Sequence, residues 1–352
     1  MDTLPSSPAD VIGGVDTHRD INAAAAIDRT GRLLGHAVFP TTLTGYRDLE
    51  QWFGSFGPIA KVGIEGTGAW GAGLSRHLVS VGVEVLEVDR PDRRRRRLRG
   101  KTDFLDAENA ARAVLAGEAR TIPKTGLGRV EAIRGLRVAR QSAIKARTQA
   151  INQIHATLVT APAEVRDELR RLPIRTLIDQ AARFRPGTVD EPRSALRFTL
   201  RTLARRCQHL GAEIEDLDKR LTTLVEAEAP DLLRHHGVGT DVAAALLAVA
   251  GDNPERLHSE ASFAALCGVA PIPASSGLTH RHRLNRGGNR DANNALWRVV
   301  IVRLASHQPT RNYMARRRSQ GLTKREIIRC LKRYVARELY STLRQRTNLD
   351  TQ

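Results

Sequence analysis

Only three cysteines, Cys207, Cys267 and Cys330, occur in 352 residues, and they lie far apart. An odd, scattered set excludes a disulfide framework and a zinc-ligand pattern, and it fits a reducing cytosol. No uninterrupted apolar run approaches the roughly 20 residues of a membrane span. The stretch from Met1 to Asp10 lacks a basic-then-apolar signal pattern, so the expectation is a cytoplasmic protein with no membrane partner. Acidic residues are also in deficit. Against 56 Lys and Arg stand 38 Asp and Glu, for a formal net charge of +18 and a pI near 11.0. A clustered excess of this size points to a polyanionic partner, nucleic acid first, rather than to a merely basic surface. The length allows two or more domains, each burying its own core.

The acids that do occur in the first third are informative. Asp16 ends an apolar run, Val11-Ile12-Gly13-Gly14-Val15, that reads as a buried strand. Glu65 ends a second run, Val62-Gly63-Ile64, and glycine follows it. Asp103 and Asp106 lie three apart at the start of a helical pattern, so they share a face. Such carboxylates can converge only if their repulsion is offset, usually by hard divalent cations such as Mg²⁺ or Mn²⁺. Two such ions about 3.5–4 Å apart promote displacement at phosphorus. Taken singly, each acid has a plainer reading: Asp103 as a first-turn helix residue, Asp16 as a turn residue. Just upstream of the acidic pair run Arg93, Arg94, Arg95, Arg96 and Arg97, with Arg99 and Lys101. They either hold an anionic backbone beside the metals or form a solvated charge run.

Strands are expected at Val11–Asp16, Ile21–Ile27 and Leu33–Phe39, the last two joined by a turn at Asp28-Arg29-Thr30-Gly31. A helix over Leu43–Phe53, a strand over Lys61–Glu65, a helix over Trp70–Ser80, a strand over Val83–Val88 and a helix over Phe104–Ala116 follow. That order is the order of the ribonuclease-H-like (RuvC-like) fold, which sugar kinases and actin-like ATPases also use. The predicted fold class is α/β plus all-α: a RuvC-like domain over residues 1–125, a helical coiled-coil arm over 126–228, and a helical domain over 229–352. In the arm, Leu196, Leu200, Leu203, Cys207, Leu210, Ile214, Leu217, Leu221 and Leu224 alternate in steps of four and three. This is an a/d seam, and it suits a coiled-coil hairpin, a dimerising arm or a compact bundle. An earlier helix, about Val130–Leu158, carries Arg137, Arg140, Lys145 and Arg147 on its other faces. Pro162, Pro173, Pro186 and Pro192 punctuate the stretch between the two.

In the last domain, Gly237-Val238-Gly239 before a helix over Asp241–Ala250 has the form of a helix-hairpin-helix, whose backbone N–H groups of Gly237 and Gly239 would meet phosphate; a capping glycine is the plain alternative. Downstream lies a Gly/Pro-rich loop, Gly268 to Gly277, containing Ser275 and Ser276. Arg281, Arg283, Arg286 and Arg290 follow it. A serine there is either ordinary turn chemistry or a nucleophile awaiting activation. The segment from Thr279 to Arg346 is heavily basic, with Trp297 and Tyr313 interleaved, and favours a phosphate-tracking surface.

Several blocks carry a resemblance: Val15-Asp16-Thr17-His18, Glu65-Gly66, Lys101-Thr102-Asp103-Phe104-Leu105-Asp106-Ala107, Gly237-Val238-Gly239, Phe263 to Pro271, Ser275-Ser276-Gly277 and Arg286-Gly287-Gly288-Asn289-Arg290. They resemble, in order and over nearly the whole chain, the DEDD-type insertion-sequence transposases, serine-using recombinases with a RuvC-like domain. The resemblance implies that Asp16, Glu65, Asp103 and Asp106 bind Mg²⁺ and that Ser276 attacks a DNA phosphate. It makes the last domain a serine-containing transposase domain. It further implies donor and target DNA, a guiding bridge RNA, and homo-oligomers, either a dimer or a tetramer built as a dimer of dimers. One departure is that Gly277-Leu278-Thr279-His280 follows the serine where the family commonly has Gly-Gly or Gly-Lys. The rival reading is a RuvC-like, metal-dependent Holliday-junction endonuclease without serine chemistry.

Overall fold

The computed structural model describes residues 10–88, 102–275 and 282–345. The chain forms two compact units. Among the described residues the first runs up to Gly128 and also takes in Ala250–His258; the second comprises Arg129–Val249 and residues 259–345.

The first unit is mixed α/β. Its elements are β1 (Val11–Thr17), β2 (Ile21–Ile27), β3 (Leu33–Pro40), α1 (Leu43–Gly54), β4 (Ile59–Glu65), α2 (Ala72–Ser80), β5 (Glu84–Val88) and α3 (Asp103–Leu115). The sheet order is β3-β2-β1-β4-β5. The first three strands form the expected antiparallel meander, while β4 runs parallel to β1 and β5 parallel to β4.

Pleating sends alternate residues to opposite faces. Val11, Val15, Val62 and Ile64 enter one core with Leu49, Phe53 and Leu74. Ile12, Leu86 and Val88 enter the other, against Ala110, Ala111 and Val114 of α3. By the same parity Asp16 and Glu65 belong to the α3 face. Gly14 pairs with Gly63 on that face. A Cβ on Gly14 would stand 2.1 Å from the Ala107 carbonyl oxygen, and one on Gly63 would stand 2.6 Å from Val114 Cγ2. Two paired glycines therefore let α3 lie directly on the sheet. That contact carries the first turn of α3 toward the C-terminal end of β1. The return segment closes on 122–125: Asn253 Nδ2 donates to Pro123 O (3.0 Å) and Arg256 Nε to Ile122 O (3.1 Å).

The second unit contains α4 (Arg129–Val159), α5 (Ala163–Leu169), α6 (Ile174–Ala182), α7 (Pro192–Glu228), α8 (Pro230–Leu233), α9 (Thr240–Ala250) and α10 (Glu260–Leu266). After these come the short strands β6 (Ile272–Pro273) and β7 (His282–Arg283), then α11 (Arg290–Ser306), α12 (Gln308–Ser319) and α13 (Lys324–Arg344). The a/d seam of α7 is buried against α4. Ala150, Ile154 and Leu158 share a core with Leu200, Leu203 and Cys207, while Arg140 pairs with Asp218. Low numbers on one helix thus meet high numbers on the other, so the pair is an antiparallel hairpin. Pro162 and Pro173 do not merely interrupt the connection. They stand as N-caps of α5 and α6, where a missing N–H costs nothing.

Arg137 and Arg140, which lie off the apolar stripe of α4, are engaged with acids of other helices. Arg137 is buried, 2.9 Å from Asp291 and 3.5 Å from Asp241. Arg140 reaches Asp241 at 3.3 Å, and Arg298 pairs with the same carboxylate. Burial works to raise the Asp241 carboxyl, but Arg298, Arg137 and Arg140 hold it below its ordinary 3.8. A lowered carboxyl contributes stability above its unfolded pKa and loses it as pH falls through the folded one. Asp241→Asn should therefore cost about 2 kcal/mol at neutral pH, since it removes a carboxylate shared by Arg137, Arg140 and Arg298. Denaturant titrations should show that deficit shrinking below about pH 4; a constant deficit across that range would refute the ionic origin.

Candidate functional site

At the C-terminal end of β1, Asp16 is buried, and the chain turns immediately after it. The turn brings His18 back: its Nε2 lies 3.3 Å from Asp16 Oδ2 and 3.5 Å from Asp103 Oδ1. Thr102 caps α3, its hydroxyl accepting from Leu105 N at 3.2 Å. Asp103 and Asp106 therefore occupy the first turn, and Asp106 is 2% exposed. One potential ligand atom from each of Asp16, His18 and Asp103 lies within 4.8 Å of the others. Burial raises the Asp16 carboxyl from its ordinary value; His18 opposes that, and Asp106 and then Asp103 add to it. Both α3 acids thus act electrostatically on Asp16.

Glu65 ends β4, the parallel neighbour of β1, one residue past the Val15–Ile64 pair. Thr17 Oγ1 donates to the Glu65 carbonyl oxygen at 2.8 Å, which ties the two strand ends together. Gly66 then takes a φ of 73°, a left-handed turn open to glycine. The four acids foreseen in the sequence sit on two adjacent strand ends and one helix turn of the same face. The donor set suits a divalent cation. It is oxygen-rich and buried at Asp16 and Asp106, and an imidazole nitrogen lies within 3.5 Å of two carboxylates. His18 was missed as a site residue. The available signal was its parity with Asp16, two residues on.

The residues expected from the sequence to meet nucleic acid fall into three groups. Gly237 takes a φ of 82° in a turn held by α11, where Arg303 Nε donates to His236 O at 2.8 Å. A Cβ there would be 3.3 Å from Val299 O, so this glycine serves the fold, whereas Gly239 is exposed before α9. Second, β6 and β7 pair as a hairpin, with Ile272 opposite Arg283. Arg283 lines a cleft of about 1070 Å³ with Arg316, Arg317, Arg329 and Arg337. Tyr313 lies in the same cleft, its phenol pushed up to about 12 by burial, Cys330 and Tyr334, with the Arg316 guanidinium 5.4 Å from its ring centre. Arg286 and Arg290 line a second cavity of about 540 Å³ with Asn293 and Trp297. Third, Arg93, Arg94, Arg95, Arg96, Arg97, Lys101, Ser276 and Arg281 lie outside the described residues. Ser275 is exposed at the hairpin's edge.

Two family models match this chain. A transposase model of the DEDD type for IS110 covers residues 13–161, and one described as the IS116/IS110/IS902 transposase family covers 229–315. The chain is also similar to the uncharacterized 43.6 kDa protein of insertion element IS110 from Streptomyces coelicolor, with 28% identity over 173 residues. That match takes in 48% of this chain and 41% of the relative, so the chain spans about two fifths of that relative's length. The family's DEDD label and divalent metal use agree with the acid cluster. Among the described residues no helix is long and apolar enough to cross a membrane. With one model running from the sheet through α4 and the other starting just past α7, the chain belongs to the DEDD-type insertion-sequence transposases.

Proposed function

We propose that this protein cuts and rejoins the DNA strands of an insertion sequence, using Asp16, Glu65, Asp103 and Asp106 as a metal site and Ser276 as nucleophile. The observation that carries the reading is the meeting of Asp16, His18 and Asp103 over β1, with Asp106 acting on the same carboxyl. The strand order and directions support a ribonuclease-H-like first domain. We keep three functional parts, bounded near residues 125 and 228: the acid-bearing sheet, the helical hairpin and the serine-bearing helical domain.

Asp16 and Asp103 would hold Mg²⁺ or Mn²⁺, joined by Asp106 and Glu65. When bound, the ion supplies Lewis acidity toward a phosphoryl oxygen. The Ser276 oxygen forms an ester bond to phosphorus, and the DNA sugar oxygen leaves and takes up a proton. Attack on that ester by the hydroxyl of a second strand restores a phosphodiester and returns the serine. Bond number is conserved at each step, so strands exchange without an external energy source. Arg283, Arg286 and Arg290 would hold backbone phosphates near the hairpin.

Acids and serine hairpin belong to different compact units, which suits assembly of a complete site from two subunits of a dimer or tetramer. A structured bridge RNA pairing with donor and target would leave the protein to track backbone and shape, in the cytoplasm. The test is incubation of purified protein with DNA carrying the element's ends and Mg²⁺, resolved on denaturing gels. A covalent protein–DNA adduct followed by joined product, both stopped by EDTA, is expected. Metal-dependent cutting with no adduct would establish the junction-endonuclease reading instead. Sequencing of RNA that co-purifies tests the guide.

A further inference from the structure

The basic residues of α13 read alike in the sequence, but one differs in the fold. Lys332, on α13, is 7% exposed, whereas Lys324, Arg325 and Arg337 on the same helix are exposed. Its Nζ donates to Asn293 Oδ1 at 2.8 Å. Asn293 is itself fixed, its Nδ2 donating to the Cys267 and Gly268 carbonyls at 3.0 Å each. Gly268 packs against Gly288 so closely that a Cβ on Gly288 would lie 2.1 Å from Gly268 N. The ammonium is thus positioned by a rigid relay, yet no carboxylate pairs with it among the described residues.

Burying a cation beside a neutral amide is unfavourable. Burial, with Arg329 adding, lowers the Lys332 pKa from its ordinary 10.5. Core packing does not need an amine at this position, since a methionine would fill the same volume. An ammonium has three donors, and Asn293 takes one. Lys332 also lines both the 1070 Å³ cleft and the 540 Å³ cavity, as do Gly268, Leu284 and Asn285. It therefore stands where the two basic hollows meet, beside the loop that leads into the serine hairpin.

We propose that Lys332 is a phosphate-contacting residue, binding one phosphodiester of a DNA strand that passes between the two hollows. This rests on the reading of the chain as a DNA-joining protein, and it assigns a buried cation that lines the same hollows as Gly268. Asn293 is the positioning residue that aims it.

The test uses the full-length protein and a short fluorescent single-stranded DNA of about 20 nucleotides. Lys332→Met should weaken binding about 10-fold and reduce the slope of log K against log salt by about one. Its melting temperature should equal or exceed that of the wild type, and Lys219→Met, on the distant hairpin, should change neither quantity. Lys332→Arg should restore part of the affinity. In unmodified protein, reductive methylation read by peptide mass spectrometry should show Lys332 protected by the DNA and not by inorganic phosphate. Wild-type affinity in Lys332→Met, a lowered melting temperature, or equal protection by phosphate alone would each overturn the assignment. Wild-type protein that bound no DNA at all would overturn the DNA-joining reading with it.

Discussion

Asp16→Ala and Asp106→Ala should each lower DNA cutting about a thousandfold or more, a loss of roughly 4 kcal/mol in transition-state stabilisation. The expectation comes from placement: both acids are buried where the first turn of α3 meets the end of β1. A second readout separates a metal site from a structural one. The Asp16 carboxyl is raised by burial and by Asp106 and Asp103. A raised carboxyl contributes stability below its unfolded pKa and loses it as pH rises through the folded one. Above its raised pKa, and without metal, the charge on Asp16 is therefore a burden on the fold. Asp16→Asn should melt at or above the wild type in EDTA, by a few degrees. Addition of Mg²⁺ or Mn²⁺ should raise the wild-type melting temperature and leave the variant's unchanged. Unaltered cutting together with unaltered metal response would make the acids structural.

Ser276→Ala should abolish both the covalent adduct and strand exchange, with no joined product above background. The missing hydroxyl cannot be replaced by water without losing the bond energy that rejoining needs. RNA and DNA binding should survive, because in the proposed function phosphate contacts belong to the arginines lining the cleft and not to the hydroxyl. Ser275→Ala is the informative companion: it should retain the adduct. Retention in Ser276→Ala and loss in Ser275→Ala would move the nucleophile one residue upstream.

Much of this was legible before any coordinates. The strands ending in Asp16 and Glu65 and the helix opening at Asp103 follow from apolar runs and a Thr102 cap, which are local signals. Their meeting could be argued only from the chemistry that would compensate it. The sheet supplies the rest. Parity puts Asp16 and Glu65 on one face, and the paired Gly14 and Gly63 let α3 approach that face closely. His18 escaped because its partner Asp103 lies 85 positions away, and no periodicity links them.

The seam of α7 was readable as a coiled-coil pattern, but a heptad does not say which helix covers it. The fold covers it with the chain's own α4 and with α5 and α6. The partners of Arg137 and Arg140 were illegible for a related reason. Helical periodicity places them off the apolar stripe of α4, but Asp241, Asp291 and Asp218 arrive from three other helices.

Residue order alone established the family, the net charge and the local elements, since hydrophobic periodicity and caps act over a few residues. Tertiary packing decided which charges face one another: Asp16 with Asp103, Asp241 with three arginines, Lys332 with a neutral amide. Those encounters depend on how separate elements stack, and both Coulomb energy and desolvation are set by distance and burial in space, not by spacing along the chain.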